Sequence, residues 1–236
     1  FKQSGVVVEF DFEAAGSGII KLESGNLAKL ERLTHDEFMA QMKDKFLNVK
    51  PTQEIAVNMQ KGETPDWNQA VDLMKTWKSP LRPDSAKLIV NDKGVCIDFA
   101  VRYQIGKKSV VTKRDGAVWK DVAVEVFLGK PGTENFAQLV VNTLNTQMDV
   151  KTVFQPDGKK ITDIKSAFVW NSEADFNSEI AHFKVTVPWE TMEQLVNVKK
   201  GENFTLNICS QGRDWCGLAG GGYAVPLKFG KVNVKK

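Results

Sequence analysis

Val6, Val8, Phe10 and Phe12 alternate with Val7, Glu9, Asp11 and Glu13, the period of two that marks a half-buried strand. Ala14-Ala15-Gly16-Ser17-Gly18 turns the chain toward a second short strand at Ile19 to Leu22. The period then changes. Thr34 and Glu37 form a capping box, Leu33 can staple onto Phe38, and Phe38, Met42 and Phe46 recur every four residues as one apolar stripe ending near Asn48. A hairpin and a helix bury too little for an independent core. Residues 1–50 are therefore expected to be an extension packed on the main domain or the tail of a preceding one. Lys50-Pro51-Thr52 marks the boundary, and residues 51–236 form the main domain.

Beyond that boundary the pattern stays close to a period of two. Strands are expected at Ile55–Met59, Lys87–Val90, Val95–Tyr103, Val122–Leu128, Ala137–Asn142, Ala167–Trp170, His182–Val187, Phe204–Cys209 and Val225–Val234, with polar turns between them. Short helical pieces are expected at Trp67–Met74 and after Pro188, since proline is tolerated in a first helical turn. Many short strands with little helix predict an all-β fold, an antiparallel β-sandwich with the N-terminal β-hairpin and helix as an extension.

Composition narrows the function classes. The 236 residues carry 32 basic and 29 acidic side chains, an excess too slight and too evenly spread for a nucleic-acid surface. No apolar run approaches the roughly 18 residues needed to span a bilayer. Neither nucleic acid nor membrane is expected as a partner. The chain opens on Phe1 with no basic-then-apolar leader, so it reads as a fragment or mature form of something longer.

Three cysteines are present. Cys96 lies in an alternating strand and reads as a buried thiol. Cys209 and Cys216 flank a polar loop that could bring them together, but sequence alone does not set their separation, and the disulfide stays open.

An enzyme is disfavoured by inventory. The two histidines, His35 and His182, lie in a helix turn and in a strand with apolar neighbours, and read as surface or satisfied polar residues. No nucleophile elbow, phosphate loop or metal-binding histidine pair is present. Asp121 and Glu125 share one strand face about 13 Å apart, too far for a glycosidase pair. What stands out is six tryptophans against two tyrosines. Trp67, Trp77, Trp170 and Trp189 read as core. Trp119 and Trp215 sit in charged, turn-like segments, where an indole face suits the apolar face of a pyranose ring.

Arg114-Asp115-Gly116-x-x-Trp119-x-Asp121-x-x-x-Glu125-Val126-Phe127-Leu128 resembles the central signature of family-9 carbohydrate-binding-like domains, related to DOMON-type sandwiches. Weaker landmarks follow in the family's order over residues 52–236. They are Asp66-Trp67-x-x-Ala70, Ser85 to Leu88 with Val95 to Phe99, Phe136 to Asn142, Phe183 to Trp189, Phe204 to Cys209, and Pro226 to Val232. The resemblance implies a jelly-roll-like sandwich, of the kind found at the end of multidomain bacterial glycoside hydrolases. It further implies carbohydrate and a catalytic domain of the same chain as partners, and an extracellular or periplasmic location.

In sugar-binding members two tryptophans clamp a pyranose, and a carboxylate six residues after the first accepts its hydroxyls. Trp119 and Glu125 match that spacing, and Trp215 lies where the second tryptophan is expected, although its spacing from Asn207 departs from the pattern. Asn142, Asn207 and Arg213 are the remaining candidate polar contacts. No cofactor is expected; structural calcium is possible by resemblance, with no dense acidic loop to name its site. For Glu125, a salt bridge with Arg102 or Arg114 competes with ligand contact. Three rival functions remain: a structural or interaction sandwich without sugar, a haem-binding redox module for which His182 is the only histidine of the sandwich, and a catalytic fragment.

Overall fold

A computed structural model describes residues 53–73, 85–102, 107–155, 157–164, 167–177, 180–211, 215–217 and 224–236, with residues 211 and 215–217 described by their backbone. The hairpin and helix expected over residues 1–50 lie outside the described residues, as does Trp77. In chain order the elements are β1 (Glu54–Gln60), β2 (Val71–Asp72), β3 (Ser85–Asn91), β4 (Gly94–Arg102), β5 (Ala123–Gly129), β6 (Phe136–Asn142) and β7 (Gln147–Phe154). They continue with β8 (Lys160–Asp163), β9 (Asn171–Phe176), β10 (Ile180–Pro188), α1 (Trp189–Val196), β11 (Phe204–Gln211), β12 (Trp215–Gly217) and β13 (Gly230–Lys235).

The strands run in the order β8-β7-β6-β5-β11-β13-β1-β3-β4-β10-β9, with β12 beside β11 and β2 beside β3. This curled sheet is a sandwich of two layers joined through β1. Residues Glu54 to Asn58 pair with β13, and Met59 and Gln60 pair with β3. Both pairings are parallel, so the wholly antiparallel sandwich read from the sequence is corrected at this one strand. A strand that leaves one layer for the other makes the corner such a fold needs.

Between the layers lies one continuous core. Alternate residues supply it: Val124, Val126 and Leu128 from β5, Leu139 and Val141 from β6, Ile97 and Phe99 from β4, Phe183 and Val185 from β10, Leu206 and Ile208 from β11. Trp170 and Trp189 belong to it, as their sequence setting predicts, whereas Trp67 is only half-buried. Helix α1 closes one end with Met192, Leu195 and Val196. Its first residue donates the Trp189 indole N–H to the Asn91 carbonyl at 2.8 Å. It stops at Asn197, which takes φ 55°, a left-handed cap that asparagine tolerates. No helix among the described residues is long and apolar enough to cross a membrane.

Several local expectations are corrected. Trp67–Met74 is a single 3-10 turn, Trp67–Gln69, followed by β2 instead of a helix. The last predicted strand starts late, at Gly230, because Pro226–Lys228 forms another 3-10 turn. Strands β7 and β8 were not anticipated; in β7, Met148 and Val150 alternate with Asp149 and Lys151, but it is the polar parity that stands opposite the core residue Leu139. Ala167–Trp170 is extended but joins no strand, and β9 begins only at Asn171. Cys96 is buried as predicted, which raises its thiol pKa above the ordinary value, a shift partly offset by the Thr186 hydroxyl and by Lys93. On β12, Cys216 lies opposite Ser210, while Cys209 lies opposite Gly217, so the two cysteines are not cross-strand partners.

The outer face of the second layer carries a row of alternating charge. Asp72, Lys87, Asp98, Lys184 and Glu173 stand opposite one another across β2, β3, β4, β10 and β9. Burial raises the Asp98 carboxyl above the ordinary 3.8, and Lys184, Lys87 and His182 pull it back. Folded Asp98 thus keeps its proton to higher pH than unfolded Asp98, so its contribution to stability falls as pH rises from about 3.8 through the folded value. Urea midpoints should show Asp98→Asn gaining on wild type between pH 4 and pH 7; a constant difference would contradict the assignment. A second test concerns Gly94, where an added Cβ would lie 2.0 Å from the Val187 carbonyl oxygen. Gly94→Ala should cost at least about 1–3 kcal/mol in the same assay.

Candidate functional site

The signature region folds as a loop over residues 107–122 that leads into β5. Two carboxylates build it from inside. Asp121 Oδ2 accepts the backbone N–H groups of Val110 at 3.2 Å and Val111 at 2.9 Å, and an amide N–H of Asn142 at 2.8 Å. Asn142 gives its other N–H to the Val111 carbonyl at 2.8 Å, while its own carbonyl oxygen accepts Leu144 N and Thr146 N. Asn142 is therefore fully engaged in holding the loop.

The second carboxylate, Asp149, is fully buried on β7. It receives the Arg114 guanidinium, the Trp170 indole N–H at 3.2 Å and the backbone N–H of Phe168 at 3.1 Å. Arg114 also donates to the Gln147 side chain and the Phe168 carbonyl. Asp115 sits at φ 60°, which aspartate tolerates better than most residues. Its N–H goes to the Gln147 carbonyl at 3.0 Å and its carboxylate accepts Asp149 N at 3.1 Å. The loop thereby covers the edge of β7 where β8, paired only from Lys151 onward, does not reach. Arg114, a suggested partner for Glu125, is used here instead.

With those anchors turned inward, Trp119 is left outside. It lies in a 3-10 turn, Val118–Lys120, and is 45% exposed, with Lys120 Nζ 5.2 Å from the ring centroid, a cation–π contact worth about 0.5–1 kcal/mol at an exposed site. Val118 seats this turn among Ala123, Val140, Met148 and Val150 on the outer face of the first layer. Val140 is the cross-strand neighbour of Glu125.

Glu125 shares that outer face. It is 3% exposed and accepts the Gln138 amide N–H at 2.6 Å. Its neighbour on β11 is Cys209, which packs with Phe127, Phe136 and Phe229. Asn207 is buried two residues before Cys209, opposite Phe127. Trp215 lies on β12 opposite Gln211, which in turn pairs with Ala123, so its backbone reaches the end of β5 where Val118 packs. Arg213 lies outside the described residues.

The structure thus brings the Trp119 turn, Glu125 and Asn207 onto one face, carries the Trp215 backbone to its end, and sets Asn142 beneath the loop. Sequence reasoning missed Gln138, although it shares the strand parity of Asn142 and is the polar residue between Phe136 and Val140. Among the described residues no three His, Cys, Asp or Glu side chains gather to hold a metal ion. Asp121 and Asp149 are saturated by N–H donors, an arrangement that does not fit the six to eight oxygen ligands of calcium. His182 is exposed on the second layer.

No family model matches the sequence, and no curated protein matches it. Solved structures do. A candidate carbohydrate-binding protein of Bacteroides uniformis superposes with TM-score 0.58 at 13% identity, over 78% of this chain and 99% of its own. A family-9 carbohydrate-binding module of Caldicellulosiruptor kristjanssonii, solved with cellotriose, gives TM-score 0.50 at 15% identity, over 78% of this chain and 94% of its own. The fold is that of a family-9 carbohydrate-binding module. The same module with glucose covers 78% of this chain and 96% of its own, again with TM-score 0.50 and 15% identity. At such identities the likeness to the family-9 modules is one of fold.

The loop's anchors and its platform should separate cleanly on mutation. Asp149→Ala strands a guanidinium and an indole N–H, and should cost about 3 kcal/mol in a denaturant titration. Trp119→Ala should change stability by no more than about 0.5 kcal/mol in the same titration.

Proposed function

We propose that residues 51–236 form a non-catalytic carbohydrate-binding module in which a pyranose stacks on Trp119, opposed by Trp215, with Glu125 and Asn207 as polar contacts. The observation that carries this reading is the contrast within the loop. Its charged residues at 114, 115 and 121 are committed to internal partners, while its tryptophan is held out to solvent on a turn that packs through Val118 against Val140, the cross-strand neighbour of Glu125. An apolar ring face flanked by acceptors of hydroxyl hydrogen bonds is the surface a sugar recognises. The family-9 module among the structural neighbours was solved with cellotriose and with glucose, which supports the same reading. Arg213, which the sequence places between β11 and β12, would join the contacts. Asn142 would act through the loop it fastens.

In this reading the module serves a catalytic domain of the same chain, in an extracellular or periplasmic setting. Affinity should be modest, because an open site gains few contacts against the cost of immobilising a ligand. The second reading is a structural sandwich that binds no sugar. It is favoured by the deep burial of Glu125 and its bond to Gln138.

Tryptophan fluorescence during titration with a panel of mono- and oligosaccharides separates the two. Wild type should give a saturable change, and Trp119→Ala, while folded, should weaken binding at least about tenfold, or ~1.4 kcal/mol. No response to any sugar would leave the structural reading in its place.

A further inference from the structure

The charge around Trp119 bears on which sugars the platform takes, an inference that rests on the sugar-binding reading. From residue 107 to residue 121 the chain carries Lys107, Lys108, Lys113, Arg114 and Lys120 against only Asp115 and Asp121. The balance at the surface is more one-sided than that count. Asp121 is buried with two backbone N–H groups and the Asn142 amide on one oxygen. Asp115 is committed to the β7 edge and lies 3.7 Å from Arg114 Nε, and Arg114 itself is taken by Asp149. Lys108, Lys113 and Lys120 are exposed and enter none of the ion pairs formed among the described residues. The exposed tryptophan is thus set in a loop whose acids are withdrawn and whose lysines are not.

We infer that this platform prefers an acidic glycan, one whose pyranose carries a carboxylate or a sulfate ester, over a neutral one. Lys120 Nζ already stands 5.2 Å from the ring centroid, in a contact weak enough for the ammonium to exchange the indole face for an anion at the edge of a stacked ring. Lys113 and Lys108, on the same loop, add to the local potential and raise the encounter rate of an anionic ligand. The opposing charge is Glu125. It is buried, held by Gln138, and paired across the strands with Val140, against which the Trp119 turn packs through Val118, so its charge is shielded from the acidic group of the sugar, which turns toward the lysines. An ammonium is a point charge without the planar fork of a guanidinium, so it does not itself select carboxylate over sulfate.

The test is calorimetric and fluorescence titration of the 236-residue chain with trigalacturonate, a sulfated galactan oligosaccharide and cellotriose, at low salt and in 0.5 M sodium chloride. At low salt at least one acidic oligosaccharide should bind more tightly than cellotriose, and the advantage should shrink in high salt as screening sets in. Lys113→Gln should reduce the acidic affinity about two- to fivefold and leave cellotriose unchanged, and Lys120→Gln should lower the ratio of acidic to cellotriose affinity by a similar factor. Lys184→Gln, on the other layer, should do neither. Saturable, Trp119-dependent cellotriose binding with no gain for either acidic ligand would overturn the preference and leave the sugar-binding reading standing. Acidic binding that survives Trp119→Ala would also overturn it, as ionic adsorption away from the platform. Failure of all three ligands would overturn both.

Discussion

Taking the Asp149 carboxylate out of water forces the arrangement around it. A buried carboxylate is tolerated only with donors on its oxygens, and here those donors come from two stretches far apart in the chain: the Arg114 guanidinium from one, and the Phe168 backbone with the Trp170 indole from the other. Satisfying one charge therefore draws the signature loop, the end of β7 and the segment before β9 to a single point. Asp121 repeats the device on a smaller scale with Asn142. With both in place the turn at Val118–Lys120 lays Val118 against the sheet and leaves Trp119 exposed.

This division of labour changes how the sequence signature should be understood. Arg114, Asp115, Gly116 and Asp121 make the loop, Glu125 is buried against Gln138, and Trp119 is the aromatic residue of the motif left exposed. Gly116 is part of the same construction, since a Cβ there would come within 2.9 Å of Val111 and 3.0 Å of the Lys113 carbonyl. A chain could keep most of the motif for the sake of its fold while its ligand, or any ligand, changed. Fold and function are separable here residue by residue.

Periodicity made the long inner strands legible. Val124, Val126 and Leu128, or Phe183, Val185 and Val187, alternate cleanly because one parity faces a single core. It failed on β7, where Asp149 sits at a core-facing position and is bought back by hydrogen bonds that no period reveals. It also misplaced Ala167–Trp170, where Phe168 serves Asp149 through its backbone N–H and Trp170 through its indole instead of joining a ladder. In the loop, the charged setting of Trp119 announced its exposure. The role of Asn142 was not legible, because an asparagine that fastens a loop and one that binds a sugar have the same sequence surroundings. Gln138 was hidden for the opposite reason: a lone glutamine in an apolar strand reads as a surface position until its cross-strand neighbours are known.

The seam at β1 has a kinetic side. Glu54 to Asn58 lie against Lys231 to Lys235, so the first described strand of the sandwich and the last are bonded partners, and the same β1 hands over to β3 at the next residue, Met59. Local hairpins such as β3–β4 and β5–β6 can form early from neighbouring sequence. The joint between the layers has to wait for chain nearly the whole length of the sandwich away, a contact of the kind that slows folding. During synthesis the half-formed layers would each expose an apolar face until β13 emerges, and a ribosome-bound chain ending before Gly230 would have two sheets and nothing to fasten them together.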